Sequence, residues 1–194
     1  RVLMPIAEFK AINPDEVYAE IKKINWSDYL DITSSFAIDS IVFSQEFTHS
    51  KFVAYRVKDA IVDQFKEKYD KRPSVSVSNP DILINIHIAS NNHCTVSLDS
   101  SGESLHKRGY RTAQTQAPIN EVLASGMLLL AKWKGKSNFI DPMCGSGTFL
   151  IEAALIALNI PPGIFRKSFG FEKWKNFDQE LFEEIYNDDS QEKE

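Results

Sequence analysis

The sequence of 194 residues has little cysteine and no long apolar run. Its two cysteines, Cys94 and Cys144, are 50 residues apart without a CxxC motif, so the sequence indicates neither a disulfide framework nor a zinc site built from cysteine pairs. No stretch reaches the ~18 apolar residues that a membrane span requires, and the N-terminus has no signal-peptide pattern. We therefore predict reduced thiols and a cytoplasmic location.

Metal-ligating patterns are also missing. The four histidines are His49, His87, His93 and His106. None of them has an acid or a cysteine at ligand spacing, so we expect no metal site. His87 lies in an apolar stretch and is interpreted as a core or edge residue rather than a catalyst.

The negative charge is concentrated at one end of the chain. The net charge is −5, but residues 178–194 hold eight acidic residues and one lysine, so the remainder has a net charge of +2. We interpret the tail as a solvated segment and the rest as a nearly neutral body that can carry a local basic face. With 43% hydrophobic and 25% charged residues, the composition is typical of a globular protein of one or two domains.

The first hundred residues show a mixture of helical and strand patterns. Asn13-Pro14 followed by two acids predicts a helix start, and apolar spacing predicts that this helix reaches about residue 24. A second helix is predicted over residues 51–69. Strands are predicted over residues 2–6, 35–43, 74–78, 82–89 and 94–99. This order predicts a small α+β domain.

The next segment, residues 101–116, is polar and predicts a linker. In this segment, Tyr110 is flanked by the basic residues Lys107, Arg108 and Arg111. Basic side chains can neutralise phosphates, and an aromatic ring among them can stack on a nucleobase. A helix is predicted to begin after this linker, at Ala117-Pro118.

Residues 138–159 carry the signal around which the rest of the interpretation is organised. Phe139-Ile140 reads as the end of a buried strand, and Asp141-Pro142 breaks it. Gly145-Ser146-Gly147 forms a turn that tolerates positive φ and close approach of a ligand to the backbone. Residues 149–158 form a helix with one charge, Glu152, predicted to be buried against a sheet. Strand, glycine turn and helix predict the front of a Rossmann-like unit, with backbone N–H groups facing a ligand.

The glycine loop fits some nucleotide sites poorly. Leu150 stands where a GxGxxG motif has its third glycine, and no Gly-Lys-Ser/Thr follows, which excludes a P-loop. Cys144 has no basic partner nearby in sequence and is interpreted as a small loop residue rather than a nucleophile. The later aromatic residues Phe169, Phe171, Trp174 and Phe177 have two interpretations, core packing, which we favour, and base stacking.

The segment DPMCGSGT resembles the first motif of class I S-adenosylmethionine (SAM)-dependent methyltransferases, in the form typical of enzymes that methylate amino groups of nucleobases. The resemblance implies that Asp141 meets the methionine ammonium and that the backbone of residues 143–147 lines the cofactor. The implied cofactor-binding residues are Asp141, Pro142, Met143, Cys144, Gly145, Ser146, Gly147, Thr148, Gln116 and Pro118.

Longer segments, FAIDSIVFSQEFTHSKFVAYRVKDAIVDQF, SLDSSGESLHKRGYR and FGFEKW among them, resemble the THUMP-domain RNA methyltransferases, specifically those similar to the bacterial 23S ribosomal RNA guanine-N2 enzyme. This resemblance implies the end of a ferredoxin-like domain in residues 1–33 and a THUMP RNA-binding domain in residues 34–100. A linker over 101–116 and the start of an α/β Rossmann-like methyltransferase domain over 117–194 would follow. From their basic side chains, we predict His49, Lys51, Lys107, Arg108 and Arg111 as RNA-binding residues.

The chain departs from that family at the catalytic motif. It has no Asn/Asp-Pro-Pro-Tyr/Phe segment and no clear acid for the cofactor ribose. We therefore expect a piece of a longer protein, with no catalytic residue in it. The alternatives are an RNA-binding piece without catalysis and an adenine-N6 methyltransferase acting on DNA or RNA.

Overall fold

The computed structural model describes residues 1–111 and 118–187. The chain forms two compact units. The first unit contains Arg1–Gly102 together with Phe169–Phe177, and the second contains Glu103–Ser168 and the residues from Asp178 onward.

The first unit is built on one mixed sheet. Its strands are β1 (Leu3–Lys10), β2 (Ser35–Val42), β3 (Ser74–Val75), β4 (Ile82–Ile88) and β5 (His93–Asp99), in the spatial order β1-β5-β4-β2-β3. β5 is antiparallel to both β1 and β4, whereas β2 is parallel to β4 and β3. The unit also contains the α-helices α1 (Pro14–Lys23) and α2 (Ser50–Tyr69). The predicted α+β fold is confirmed.

Local sequence explains where α1 begins. The side chain of Asn13 accepts a hydrogen bond from the Glu16 N–H, and Pro14 occupies the first turn, where a missing N–H costs nothing. In α2, Val53, Val57 and Ile61 recur at helical spacing and are fully buried. They form one core with Phe36 and Ile84 of the sheet. Parallel pairing of β2 with β4 requires a crossover, which α2 supplies.

Strand β1 is longer than the predicted residues 2–6, because pairing with β5 continues to Lys10. Pro5 is tolerated since β1 is an edge strand, and the register shifts between Pro5 and Ala7. This pairing joins residues of the two predicted domains, 1–33 and 34–100, in a single sheet. The structure therefore shows no separation at residue 33.

The aromatic segment Phe169–Phe177 packs on the first unit. The ring of Phe171 stacks on Phe169 at 5.4 Å between centroids, and Trp174 contacts the hydrophobic core. The Phe171 N–H donates to the Ser100 carbonyl at 3.2 Å. These contacts support core packing over base stacking, although we expected this segment within the predicted methyltransferase domain.

The second unit contains α3 (Glu121–Leu130), α4 (Thr148–Ala157) and α5 (Gln179–Tyr186). The predicted strand at Phe139-Ile140 is wrong for the described residues: no strand forms there, and Ile140 is 81% exposed. A strand needs a hydrogen-bonding neighbour, and every described strand belongs to the sheet of the first unit.

Helix α4, which was predicted to be buried against a sheet, is buried on one side only. Glu152, Ala153 and Leu155 are buried, but Leu150 is 39% and Leu158 68% exposed. In the absence of a described sheet beside it, α4 packs against α3, so the apolar side that a sheet would cover is open. Among the residues described, no helix is both long and apolar enough to cross a membrane.

Candidate cofactor site

The glycine loop before α4 has the backbone that its sequence predicts. Gly145 and Gly147 have φ values of 53° and 74°, in the left-handed region that side chains with a Cβ rarely adopt. The Gly147 N–H donates to the Cys144 carbonyl at 2.7 Å, and Gly147 is the N-cap of α4. A Cβ built on either glycine meets no atom within 4 Å. The loop therefore presents accessible main chain at a helix start.

The side chains of the loop leave this surface open. Asp141 is half-buried, and its Oδ1 accepts the Met143 N–H at 3.1 Å. Pro142, Met143 and Cys144 are exposed. An acid beside accessible main chain at a helix start suits a ligand that has a cationic group and hydrogen-bond acceptors, and the amino-acid end of SAM fits this description.

The hydroxyls of Ser146 and Thr148 lie 3.1 Å apart, and Thr148 is buried. Pro118 is exposed, two residues before Asn120, which caps α3 by accepting the Leu123 N–H at 3.0 Å. Gln116 lies outside the described residues. The assignment of these residues to a cofactor stays a prediction.

The linker arginine Arg108 has a partner inside the protein. Its Nε and Nη2 each lie 3.3 Å from the carboxylate of Glu152, which is 1% exposed, and the hydroxyl of Tyr110 donates to the same carboxylate at 2.9 Å. Burial and the Glu152 carboxylate raise the pKa of Tyr110. Arg108 is thus held in a buried ion pair with a partner inside the protein, and its assignment to RNA contact stays a prediction.

Arg111 is also engaged within the second unit. Its Nη2 lies 2.8 Å from the Glu121 carboxylate and donates to the Thr148 hydroxyl at 3.1 Å. In the sequence, Glu152 stands out as the single charge of an apolar helix, but neither its partner nor the role of Glu121 was predicted. An acid in an otherwise apolar helix was the available signal, because a buried charge requires a partner.

The other expected RNA contacts are exposed and lie in different units. His49 and Lys51 are at the start of α2, and His49 caps the helix without a side-chain bond. Lys107, in the second unit, pairs with Glu103 and lowers the pKa of that carboxyl. The described part of the chain contains no group of three or more metal-ligating side chains.

Comparison with known proteins divides the chain near residue 102, where the first structural unit passes into the second. Residues 11–99 match the THUMP domain model, and residues 108–193 match the model of the UPF0020 family, described as an RMKL-like methyltransferase domain. A protein of Synechocystis sp. provisionally named an RNA methyltransferase is 48% identical over 185 residues, covering 95% of this chain and 48% of that protein. The ribosomal RNA large subunit methyltransferase K/L of Syntrophotalea carbinolica is 43% identical over 198 residues, and the match covers all of this chain and 28% of that protein.

Solved structures agree on the fold. A predicted N6-adenine-specific DNA methylase from Listeria monocytogenes superposes with a TM-score of 0.83 at 33% identity, covering 96% of this chain and 48% of that one. A methyltransferase structure complexed with SAH gives a TM-score of 0.78 at 32% identity, with coverages of 94% and 48%. This chain spans about half the length of the proteins in these comparisons, or less.

The fold, the glycine loop and these matches together define a methyltransferase region that follows a THUMP domain. The chain thus contains a THUMP domain followed by a UPF0020, RMKL-like methyltransferase domain, and it is similar to proteins named ribosomal RNA large subunit methyltransferase K/L.

Proposed function

We propose that the protein to which this chain belongs transfers a methyl group from SAM to the N2 amino group of a guanine in large-subunit ribosomal RNA. The observation that carries this proposal is the open glycine loop within the segment that matches an RMKL-like methyltransferase domain, preceded in the same chain by a THUMP match. Relatives named ribosomal RNA large subunit methyltransferase K/L support the substrate class. Such a substrate is consistent with the expected cytoplasmic location.

The residues of the loop suit the cofactor chemically. SAM supplies the electrophilic methyl group when it is bound. Asp141 can accept a hydrogen bond from an ammonium group, and the main chain of residues 143–147 can approach the ligand closely because Gly145 and Gly147 lack a Cβ. Ser146 and Thr148 add hydroxyl groups at the helix start. The contribution of these residues is to bind and orient rather than to react.

The RNA is proposed to contact the exposed side chains of His49, Lys51 and Lys107. Cations on a surface attract the phosphate backbone without reading sequence, so these residues would contribute affinity rather than specificity. Arg108 and Arg111 are left out of this set, because their guanidinium groups are paired with buried carboxylates, whereas the pair of Lys107 with Glu103 is exposed.

Methyl transfer by the full-length protein tests the proposal. The protein is incubated with labelled SAM and ribosomal RNA from a strain that lacks the gene, and the modified nucleoside is identified by mass spectrometry. We expect N2-methylguanosine in large-subunit RNA and no label in RNA from the parent strain, whose site is already methylated. Absence of label in both RNAs would reject the proposal.

Adenine-N6 methylation is a second candidate, because a structural neighbour is described as a predicted N6-adenine-specific DNA methylase. The two activities differ in the product, so the same assay with duplex DNA and with structured RNA separates them. N6-methyladenine in either nucleic acid would favour this candidate.

Residues 1–194 taken alone are proposed to bind RNA without turnover. Their sequence contains no Asn-Pro-Pro-Tyr or Asp-Pro-Pro-Phe segment to hold a target base. We expect this polypeptide to bind RNA in a salt-sensitive way in a filter-binding assay and to transfer no label. Turnover by residues 1–194 would contradict this part of the proposal.

A further inference from the structure

One guanidinium connects the first turns of two helices beside the glycine loop. Arg111 Nη2 lies 2.8 Å from Oε1 of Glu121, the first residue of α3, and 3.1 Å from the hydroxyl of Thr148, the first residue of α4. It also lies 3.5 Å from the carbonyl of Ile119. Glu121 and Thr148 are 6% and 2% exposed, so these contacts are shielded from water.

Helix capping does not explain this arrangement. A cation at a helix N-terminus is unfavourable because the aligned peptide dipoles already make that end positive. Asn120 caps α3 with its own side chain, so α3 needs no second group. The buried carboxylate of Glu121 offsets the charge of Arg111, which leaves the guanidinium free to donate to Thr148 without a net charge at the helix starts.

The bond to Thr148 continues into the loop. The Thr148 hydroxyl accepts from Arg111 and lies 3.1 Å from the Ser146 hydroxyl, so its single hydrogen can be donated to Ser146. Ser146 stands between Gly145 and Gly147, at which an added Cβ meets nothing within 4 Å. Since packing around these two glycines is sparse, hydrogen bonds have a larger share in fixing the loop conformation.

We propose that Arg111 is a positioning residue for the cofactor loop: it orients Thr148, and through Thr148 it fixes Ser146 and the main chain that receives SAM. This inference rests on the proposed function for the identity of the ligand. Arg111 is thereby assigned to the support of the cofactor loop rather than to the expected RNA surface.

Substitutions in the full-length protein test the proposal by calorimetric titration with SAM. Arg111→Met is expected to raise the Kd for SAM about tenfold, which corresponds to ~1.4 kcal/mol. Arg111→Lys should lower the affinity for SAM less than Arg111→Met does, because an ammonium keeps the positive charge. Some affinity should still be lost, because an ammonium cannot reproduce the planar arrangement of the guanidinium donors. Arg166→Met is the matched control: Arg166 donates to the carbonyls of Ser104, Lys107 and Glu103 in the same unit. Its loss should lower the Tm while leaving the Kd for SAM within twofold of wild type.

A double-mutant cycle tests the route through Thr148. In a Thr148→Val background, where the hydroxyl is gone, Arg111→Met should raise the Kd less than twofold further. If the losses of SAM binding free energy in the two single variants add in full in the double variant, Arg111 does not act through Thr148, and the inference is overturned. An equal rise in Kd for Arg111→Met and Arg166→Met would also overturn it, because both would then report general destabilisation.

Amide hydrogen exchange provides a readout that needs no cofactor. Exchange of the Gly147 N–H, which is bonded to the Cys144 carbonyl, should be faster in Arg111→Met than in wild type or Arg166→Met. If the wild-type protein binds no SAM, the proposed function fails, while the exchange data still decide whether Arg111 holds the loop. Unchanged exchange at Gly147 would reject the positioning role.

Discussion

At the scale of single residues, the second unit is organised by charges that face inward. Arg108 and Arg111 are close in sequence, and each pairs with a buried carboxylate on a different helix, Glu152 on α4 and Glu121 on α3. A buried charge is tolerated only when it is paired and hydrogen-bonded, so each pair depends on both partners. Arg108 and Arg111 therefore have a structural role in this unit.

Replacement of Glu152 by Gln should destabilise the protein strongly. The Arg108 guanidinium would keep its buried position but lose the charge that compensates it, which costs about 3 kcal/mol in comparable buried pairs. Urea denaturation measures the change in the free energy of unfolding. Glu103→Gln is the control, since its pair with Lys107 is exposed and should contribute less than about 1 kcal/mol. Equal effects of the two substitutions would contradict the prediction.

Asp81 should make stability depend on acid pH. Hydrogen bonds from Ser35, together with the Lys173 ammonium, lower the pKa of Asp81 from 3.8 to about 2. Because the folded pKa is the lower one, the stabilisation is fully present above pH 3.8 and is lost as the pH falls through about 2. Its size is limited, since this side chain is 40% exposed.

Asp81→Asn tests this dependence by denaturation at several pH values. The difference in unfolding free energy between wild type and the variant should be constant above pH 4 and shrink toward about pH 2. Asp31→Asn, which removes the carboxylate that pairs with Lys175, gives a comparison at a carboxylate on the same unit. A difference for Asp81→Asn that does not change with pH would rule the linkage out.

At the scale of elements, the aromatic segment Phe169–Phe177 is fastened to the first unit by close main-chain contact. A Cβ added at Gly170 would lie 2.7 Å from both the Asp99 carbonyl oxygen and the Gly102 nitrogen. Neither backbone atom can move aside easily. Lys173 and Lys175 add ion pairs with Asp81 and Asp31.

Gly170→Ala should therefore destabilise the protein by about 1–3 kcal/mol, as overpacking does elsewhere. Gly126→Ala is the matched control: Gly126 lies inside α3, and an added Cβ meets nothing within 4 Å. Alanine at that position should stabilise by up to about 1 kcal/mol through helix propensity. Thermal denaturation of both variants checks that the two changes in stability have opposite signs. If Gly170→Ala leaves the stability unchanged, the segment Phe169–Phe177 is not tightly packed.

At the scale of the whole molecule, we expect exposed cations of the first unit to contribute to RNA binding through charge alone. Lys51→Ala should weaken binding to all RNAs similarly and reduce the slope of log K against log salt by about 0.7–0.9. Fluorescence anisotropy at several salt concentrations measures the slope in the full-length protein.

Lys23→Ala is the matched control for this experiment. Lys23 is an exposed lysine of α1 that pairs with Glu20. Its removal should leave the slope within error of wild type. If Lys23→Ala and Lys51→Ala change the slope equally, the start of α2 is not a specific part of the RNA surface.

Much of the fold could be predicted because its signals are local. Asn13-Pro14 predicted the start of α1, apolar spacing predicted α2, and glycines predicted the turn before α4. The strand at Phe139-Ile140 failed for a non-local reason, since a strand exists only when another strand pairs with it. The placement of Phe169–Phe177 on the first unit could not be predicted either, because nothing in those residues specifies the surface that they cover.

The sequence by itself determined which positions carry glycine, charge and apolar spacing, and from these it determined the helix starts, the α+β class and the glycine loop. Only the tertiary structure decided the partners of the charges: Arg108 and Arg111 look alike in sequence to cations that bind phosphate, yet their guanidinium groups face Glu152 and Glu121. The physical reason is that backbone conformation depends on neighbours along the chain. The environment of a side chain depends instead on residues brought close by folding, here 44 positions away for Arg108 and Glu152.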